Sequence, residues 1–352
     1  MDAAVAAGLQ RTRNGPTART HYYVDDLCII GHNPSRYRMH DLVTFGEALL
    51  RLAVPSPARF ETARVLDVQI GGAEANVAAA CARLGLRTAW ISALPENAWG
   101  DRVCRELVGH GVDCRYVKRL PTTRLGVYFL EYGVAPRPVQ VLYDRRHSAF
   151  SRLTAETLDW EPIRRARLVH VTGITPALGH AAQKIVERIF DDAAAVSFDV
   201  NYRAALWTPA ESRVFAESVL PRARYIFIGR SEAAGVFGLD GGSDDILGAL
   251  SRVAPNATIA LMQGVDGSAV LADGNVWRPT VRHTVQVVDA VGAGDAYAAG
   301  YLWASLNSQP PQEAVNIAAT VAALKCSTWG DIALISPRDV REALANGPDI
   351  RR

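Results

Sequence analysis

From residue 168 onward the chain alternates between two regimes of apolar and polar positions. Short, continuous apolar runs rich in β-branched residues end in Gly, Asn or Asp, and a stretch with helical spacing follows each one. The runs fall at 168–173, 195–201, 224–229 and 258–264, and an earlier one of the same kind at 41–46. Continuous apolar runs separated by helices mark parallel strands buried on both faces. The pattern therefore predicts an α/β fold, a doubly wound and mostly parallel sheet flanked by helices. Such sheets bind ligands at the carboxyl ends of their strands, and the polar residues of these runs sit at those ends.

Two segments break the pattern. Residues 50–70 contain prolines and lack a helical period, while 122–145 read as two strands, Gly126-Val127-Tyr128-Phe129-Leu130-Glu131-Tyr132 and Val139-Gln140-Val141-Leu142-Tyr143, around a Gly/Pro turn. A small protruding β-sheet assembled from both excursions accounts for them, and it is suited to act as a lid on a site at the sheet edge. The expected organisation is a disordered N-terminal extension at 1–38, one main domain at 39–346 carrying this lid, and a short C-terminal tail at 347–352. Met39 stands just before the first strand, so the extension reads as an upstream start choice.

Composition narrows the possibilities. Of the residues, 49% are hydrophobic and 21% charged, enough for a substantial core, and 38 basic against 36 acidic side chains leave a net charge of +2. That balance gives no reason to expect a nucleic-acid or membrane-surface partner, and no basic stripe with interleaved aromatics occurs. No apolar run approaches the roughly 20 residues of a membrane span. Cys28, Cys81, Cys104, Cys114 and Cys326 form no CxxC pair or zinc spacing, which reads as reduced thiols and a cytoplasmic location. The eight histidines show no paired spacing; His147, near the end of the lid, is the one closest to candidate chemistry.

Two motifs carry chemistry. In Asp289-Ala290-Val291-Gly292-Ala293-Gly294-Asp295-Ala296 a Gly-Ala-Gly turn leads into a helix of small residues. Its glycines let the backbone approach an anion, and the exposed amides and helix dipole favour negative charge there. A carboxylate at such a place repels phosphate, so Asp295 makes chemical sense as the base for a hydroxyl attacking that phosphate. On the turn alone, a simple helix N-cap fits equally well. In Gly71-Gly72-Ala73-Glu74-Ala75-Asn76-Val77 and the Ala-rich helix that follows, Gly72 and Asn76 place bare backbone and an amide at a helix entrance, groups suited to recognising hydroxyls. A close-packed Ala helix after a Gly turn is the alternative. No Walker GxxxxGK[ST] and no strand-borne GxGxxG is present.

Taken together and in this order, the two motifs resemble the two signatures of the ribokinase-like, or PfkB, carbohydrate kinases, and the likeness spans 41–344. Within that family the chain is most similar to 2-keto-3-deoxygluconate kinases. The supporting stretches are Phe45-Gly46-Glu47, Gly173-Ile174-Thr175-Pro176-Ala177-Leu178, Asp199-Val200-Asn201-Tyr202-Arg203, Tyr143-Asp144-Arg145 followed by Ser148-Ala149-Phe150-Ser151, and Gly330-Asp331. The resemblance implies that Gly72, Asn76, Tyr128 and Asp331 bind the sugar, and that Arg203 takes a substrate carboxylate. An Arg at a strand end supplies the planar, bidentate donor such a group calls for, although most arginines lie in surface ion pairs. ATP is expected at Asn201, Gly264, Gly267, Gly292 and Gly294, with catalysis at Asp295 and the Gly292-Ala293-Gly294 amides. The resemblance further implies magnesium, acting indirectly through Glu232, and a monovalent cation such as potassium near Asp289. Two positions depart from the family pattern. Gly229 stands where an Asn is usual three residues before Glu232, and Leu130 stands where some keto-deoxy sugar kinases carry an Arg two positions after the lid Tyr.

The expected reaction transfers the γ-phosphate of ATP to a terminal hydroxyl of a sugar or sugar acid, with 2-keto-3-deoxygluconate as the first choice. A fructokinase- or ribokinase-type enzyme for neutral sugars is the alternative within the class, and a catalytically silent sugar-binding sensor the alternative outside it. Retention of Asp295 and the Gly-Ala-Gly turn speaks against the sensor. A homo-oligomer through the lid is a further expectation.

Overall fold

A computed structural model describes residues 40–134 and 136–345; the extension and tail expected at the two ends lie outside the described residues. The strands in chain order are β1 Leu42–Phe45, β2 Leu49–Val54, β3 Asp67–Gly71, β4 Thr88–Ile91, β5 Ala93–Pro95, β6 Lys118–Leu120 and β7 Gly126–Glu131. They continue with β8 Gln140–Asp144, β9 Leu168–Thr172, β10 Val196–Asp199, β11 Tyr225–Gly229, β12 Thr258–Met262, β13 Ser268–Ala272 and β14 Asn275–Trp277. The helices are α1 Ala73–Arg83, α2 Ala98–Gly109, α3 Glu161–Arg165, α4 His180–Asp192, α5 Pro209–Val219, α6 Arg230–Phe237, α7 Ser243–Val253, α8 Ala293–Leu306, α9 Pro311–Cys326 and α10 Pro337–Ala345.

Eight strands form the central sheet in the order β14-β13-β12-β11-β10-β9-β1-β4. The six from β12 to β4 are parallel, and β13 and β14 add an antiparallel edge. Each apolar run of the sequence is one of these buried strands. Val43, Phe45, Val169, Val171, Phe198, Ile226, Ile228, Ile259 and Leu261 face one hydrophobic layer, together with Ile185, Ile189 and Phe215 of α4 and α5. Leu42, Leu168, Phe227, Ala260 and Val270 face the other, with Val77, Leu302 and Val321 of α1, α8 and α9. A sheet covered on both faces has to be apolar on both, which is why its strands read as continuous runs.

The two segments that break the pattern supply a second sheet of four strands, β3-β2-β7-β8. Here β2 pairs antiparallel with β3 and parallel with β7, placing Arg51 opposite Tyr128, and β8 closes the far edge with Tyr143 opposite Tyr128. Local signals define the helix starts. Asn97 accepts from the Trp99 and Gly100 amides ahead of α2, and Thr208 and Glu211 cap each other around Pro209 at the start of α5. Among the described residues no helix is long and apolar enough to cross a membrane.

Strand order in the central sheet reverses at β1, which lies between β4 and β9. Crevices open at such switch points, beyond the carboxyl ends of the strands. The polar segments after β1, β9, β10 and β11 meet there, and the second sheet stands over them.

Candidate active site

The floor of this crevice is the amino end of α8. Gly292 takes a left-handed conformation, φ +84°, and a Cβ on it would lie 2.2 Å from the Asp331 carbonyl oxygen. Only glycine satisfies both conditions, so the turn brings bare backbone to the surface of the crevice. The Ala293 N–H is turned back onto the Ala290 carbonyl at 3.1 Å. This corrects one sequence assignment: the free amides of the first turn belong to Gly294 and Asp295, and Ala293 serves the turn itself. Asp295, one residue beyond, accepts a hydrogen bond from Asn76 Nδ2 at 2.7 Å. Burial drives its pKa from the ordinary carboxylate range up to about 6; the nearby Asp331 charge pushes the same way, and Asn76, Arg203 and Lys325 oppose it.

Asn76 is held in the first turns of α1. Gly72 opens that helix with φ +152°, and a Cβ there would lie 2.4 Å from the Glu47 carbonyl. The same turn buries Glu74, whose Oε1 accepts from the Thr172 amide (3.0 Å), the Thr172 hydroxyl (2.8 Å) and the Thr175 hydroxyl (2.6 Å). Burial raises its pKa to about 7 even so. These bonds tie α1 to the end of β9 and thereby place Asn76 opposite Asp295.

The second sheet forms one wall. Tyr128 donates its hydroxyl to Asp331 Oδ2 at 2.6 Å. Arg51, wholly buried on β2, donates to Asp331 Oδ1, to the Tyr132 hydroxyl and to Asp289 Oδ2. Leu130 is also wholly buried, within a small apolar cluster of that sheet, so the departure there leaves no gap in the crevice wall. A guanidinium reaches the crevice from β8 instead: Arg145 binds Glu47 Oε2 through Nε at 2.8 Å and Nη2 at 2.5 Å.

The opposite wall follows β10 and β11. Asp199, buried, accepts the Asn201 amide at 3.1 Å, and Asn201 holds a left-handed φ of +38° that turns Arg203 into the crevice. Arg203 Nη1 donates to the Tyr202 carbonyl at 3.0 Å, and among the described residues no carboxylate is ion-paired with it. Glu232 accepts the Tyr202 amide at 2.8 Å and the Gly229 amide at 2.7 Å, fixing the loops after both strands. At Gly229 it is the main-chain amide that meets Glu232. Burial raises the pKa of Asp199 well above the carboxylate range, and the neighbouring Glu232 and Asp295 charges add to it.

These walls enclose a cleft of about 580 Å³, lined by Gly72, Asn76, Tyr128, Asn201, Arg203, Glu232, Gly292, Gly294, Asp295 and Asp331. Ten of the residues singled out from sequence thus meet in one place. Glu47, Glu74, Val141, Tyr143, Arg145, Asp199 and Met262 join them without having been given a role. Gly264 and Gly267 form an exposed turn just past Met262 and do not line the cleft, and neither does Asp289, which lies behind the Gly292 turn. His147, with φ +58°, is likewise outside it.

The pfkB family carbohydrate kinase pattern matches residues 39–338. The chain belongs to that family. It is therefore an ATP-using enzyme that phosphorylates a carbohydrate. The kinase is similar to a 2-dehydro-3-deoxygalactonokinase of Haloferax volcanii, 35% identical over 311 residues, with 87% of this chain and 97% of that protein covered. It is also similar to a 2-dehydro-3-deoxygluconokinase of Thermoproteus tenax, 30% identical over 331 residues and covering 90% and 98% of the two chains. Among solved structures, a 2-dehydro-3-deoxygluconokinase of Thermotoga maritima superposes with a TM-score of 0.83 at 32% identity, covering 88% of this chain and 100% of that one.

Proposed function

We propose that the kinase transfers the γ-phosphoryl group of ATP to the terminal hydroxyl of a 2-keto-3-deoxy sugar acid, 2-keto-3-deoxygluconate first among them. The observation that carries this reading is Arg203, which enters the same cleft as Asp295 and, among the described residues, has no carboxylate ion-paired with it. A guanidinium in that state is suited to a carboxylate supplied by the substrate. The names of the relatives at 30% and 35% identity support the same class. Arg145, already neutralised by Glu47, is the second guanidinium within reach of an acid group. Buried Asn76 Oδ1 and Glu47 Oε1 have no hydrogen-bond partner among the described residues, and sugar hydroxyls would satisfy them.

In this reading Asp295 accepts the proton of the attacking hydroxyl. Its raised pKa makes it a stronger base than an ordinary carboxylate while leaving it ionised at neutral pH. The hydroxyl oxygen then bonds to the γ-phosphorus as the bond to the ADP oxygen breaks, and the Gly294 and Asp295 amides face the transferring oxygens. The nucleotide would extend along the edge beyond Met262 toward the Gly264–Asp266 turn, where Val265 is fully exposed. The Glu232 and Asp295 charges make Asp199 harder to ionise and Arg203 opposes them, a gathering of carboxylates that fits a divalent cation. Bound magnesium would offset phosphate charge during transfer.

The test is Arg203→Leu. Charge-assisted contacts of this kind contribute on the order of 1.5–3 kcal/mol, so kcat/KM for the acid sugar should fall at least about tenfold. Turnover of a neutral sugar such as fructose should fall much less, since a neutral sugar brings no carboxylate to the site. Equal losses for both substrates would remove the carboxylate role of Arg203.

A further inference from the structure

Asp289 is the residue that the sequence resemblance nominates for a monovalent cation, and its surroundings do not fit one. Its Oδ2 accepts from Arg51 Nη2, from the Tyr132 hydroxyl at 3.0 Å and from the Gly330 amide at 3.1 Å. Its Oδ1 accepts the Val291 amide at 3.0 Å. Its main-chain oxygen accepts the ammonium of Lys325, 2.8 Å away, from the last turn of α9. Every acceptor that Asp289 could offer an alkali ion already holds a donor of the protein.

The charge count leads to the same result. Lys325 is fully buried, a state a lysine reaches only where anionic and dipolar groups surround its head. Asp289 and Asp331 are the carboxylates that act on it, and Arg51 is paired with both. Two carboxylates thus meet two side-chain cations, and the neighbourhood is neutral without any ion from solvent. The position of the ammonium also has a mechanical consequence. It grips the carbonyl of Asp289, and three residues later the chain reaches Gly292, whose conformation sets the amides at the head of α8.

We propose that Lys325 is a built-in monovalent cation: its ammonium fixes the Asp289 carbonyl and the turn that follows, which makes this kinase independent of potassium and sodium. Lys325 is a positioning residue, since it grips the turn and lies outside the cleft lining, and its charge also favours the ionised form of Asp295.

The experiment measures ADP release, with whichever sugar turns over best, alongside the thermal midpoint. The purified full chain is placed in potassium chloride, sodium chloride or tetramethylammonium chloride at matched ionic strength. The wild-type protein should give the same kcat and the same midpoint in all three salts. Lys325→Ala opens space and leaves an acceptor unpaired. In tetramethylammonium its kcat should fall by roughly tenfold or more, as a shifted catalytic turn implies, and its midpoint should drop. Potassium, which is small enough to enter, should restore part of both. Activation of the wild-type protein by potassium over tetramethylammonium would overturn the proposal, and that comparison stands even if the variant does not fold. A Lys325→Ala protein with wild-type kcat and midpoint in every salt would overturn it equally. Because any sugar substrate serves, failure here is distinguishable from failure of the substrate assignment.

Discussion

Asp295 sits at the amino end of α8, where dipole and amides favour negative charge, and burial raises its pKa to about 6. Asp295→Asn preserves size and hydrogen bonding but takes no proton, so kcat should fall by roughly 10²–10⁴ while sugar binding persists. Near-normal turnover in that variant would remove Asp295 as the base. The sign of its pH dependence follows from the same shift. The ionised form is the active one, so kcat/KM should decline as pH falls through about 6 and level off above it. An acid limb near 4, that of an ordinary carboxylate, would contradict burial as the controlling factor. Asp295, Asn76 and Arg203 were legible as chemistry because each stands in a short motif beside glycines or at a strand end. Asp199, Glu74 and Arg145 were not. Each lies within a stretch quoted for the family likeness, but what its charge does depends on partners about 30 to 100 positions away, which no local pattern announces.

Arg51 links the second sheet to the segments beneath the cleft, joining β2 to Asp289 and Asp331 across more than 200 residues of chain. Removing one partner of a buried ion pair leaves an uncompensated charge, typically a loss of about 3–5 kcal/mol. Arg51→Met should therefore lower the urea midpoint by a corresponding amount, and a loss within about 0.5 kcal/mol, as at an ordinary surface position, would show the pairing to be dispensable. The strands of the parallel sheet were readable because burial on two faces makes them uninterrupted apolar runs. The edge hairpin β13–β14 escaped notice even though Asp273-Gly274 carries its signal, with φ of +51° and +75° at the turn. Pairing of β2 with β7 was beyond reach in detail, since a parallel register between strands more than 70 residues apart leaves no local pattern. Asp289 shows the opposite failure. The motif drew attention to it, while the buried Lys325 and Arg51 that occupy its acceptors come from outside the motif.

At the scale of the whole molecule, the central sheet supplies the turns that hold Asp295 and Arg203, and the second sheet closes the cleft with Tyr128, Tyr143 and Arg145. The central claim is that this enclosure belongs to a kinase for acidic keto-deoxy sugars. The most direct measurement is the wild-type kcat/KM, from ATP-dependent ADP release, for 2-keto-3-deoxygluconate, its galacto epimer, fructose and ribose side by side. The two acids should exceed both neutral sugars by at least about tenfold, the minimum worth of one charge-assisted carboxylate contact. A preference for fructose or ribose would contradict the substrate assignment and leave the phosphoryl-transfer chemistry at Asp295 standing.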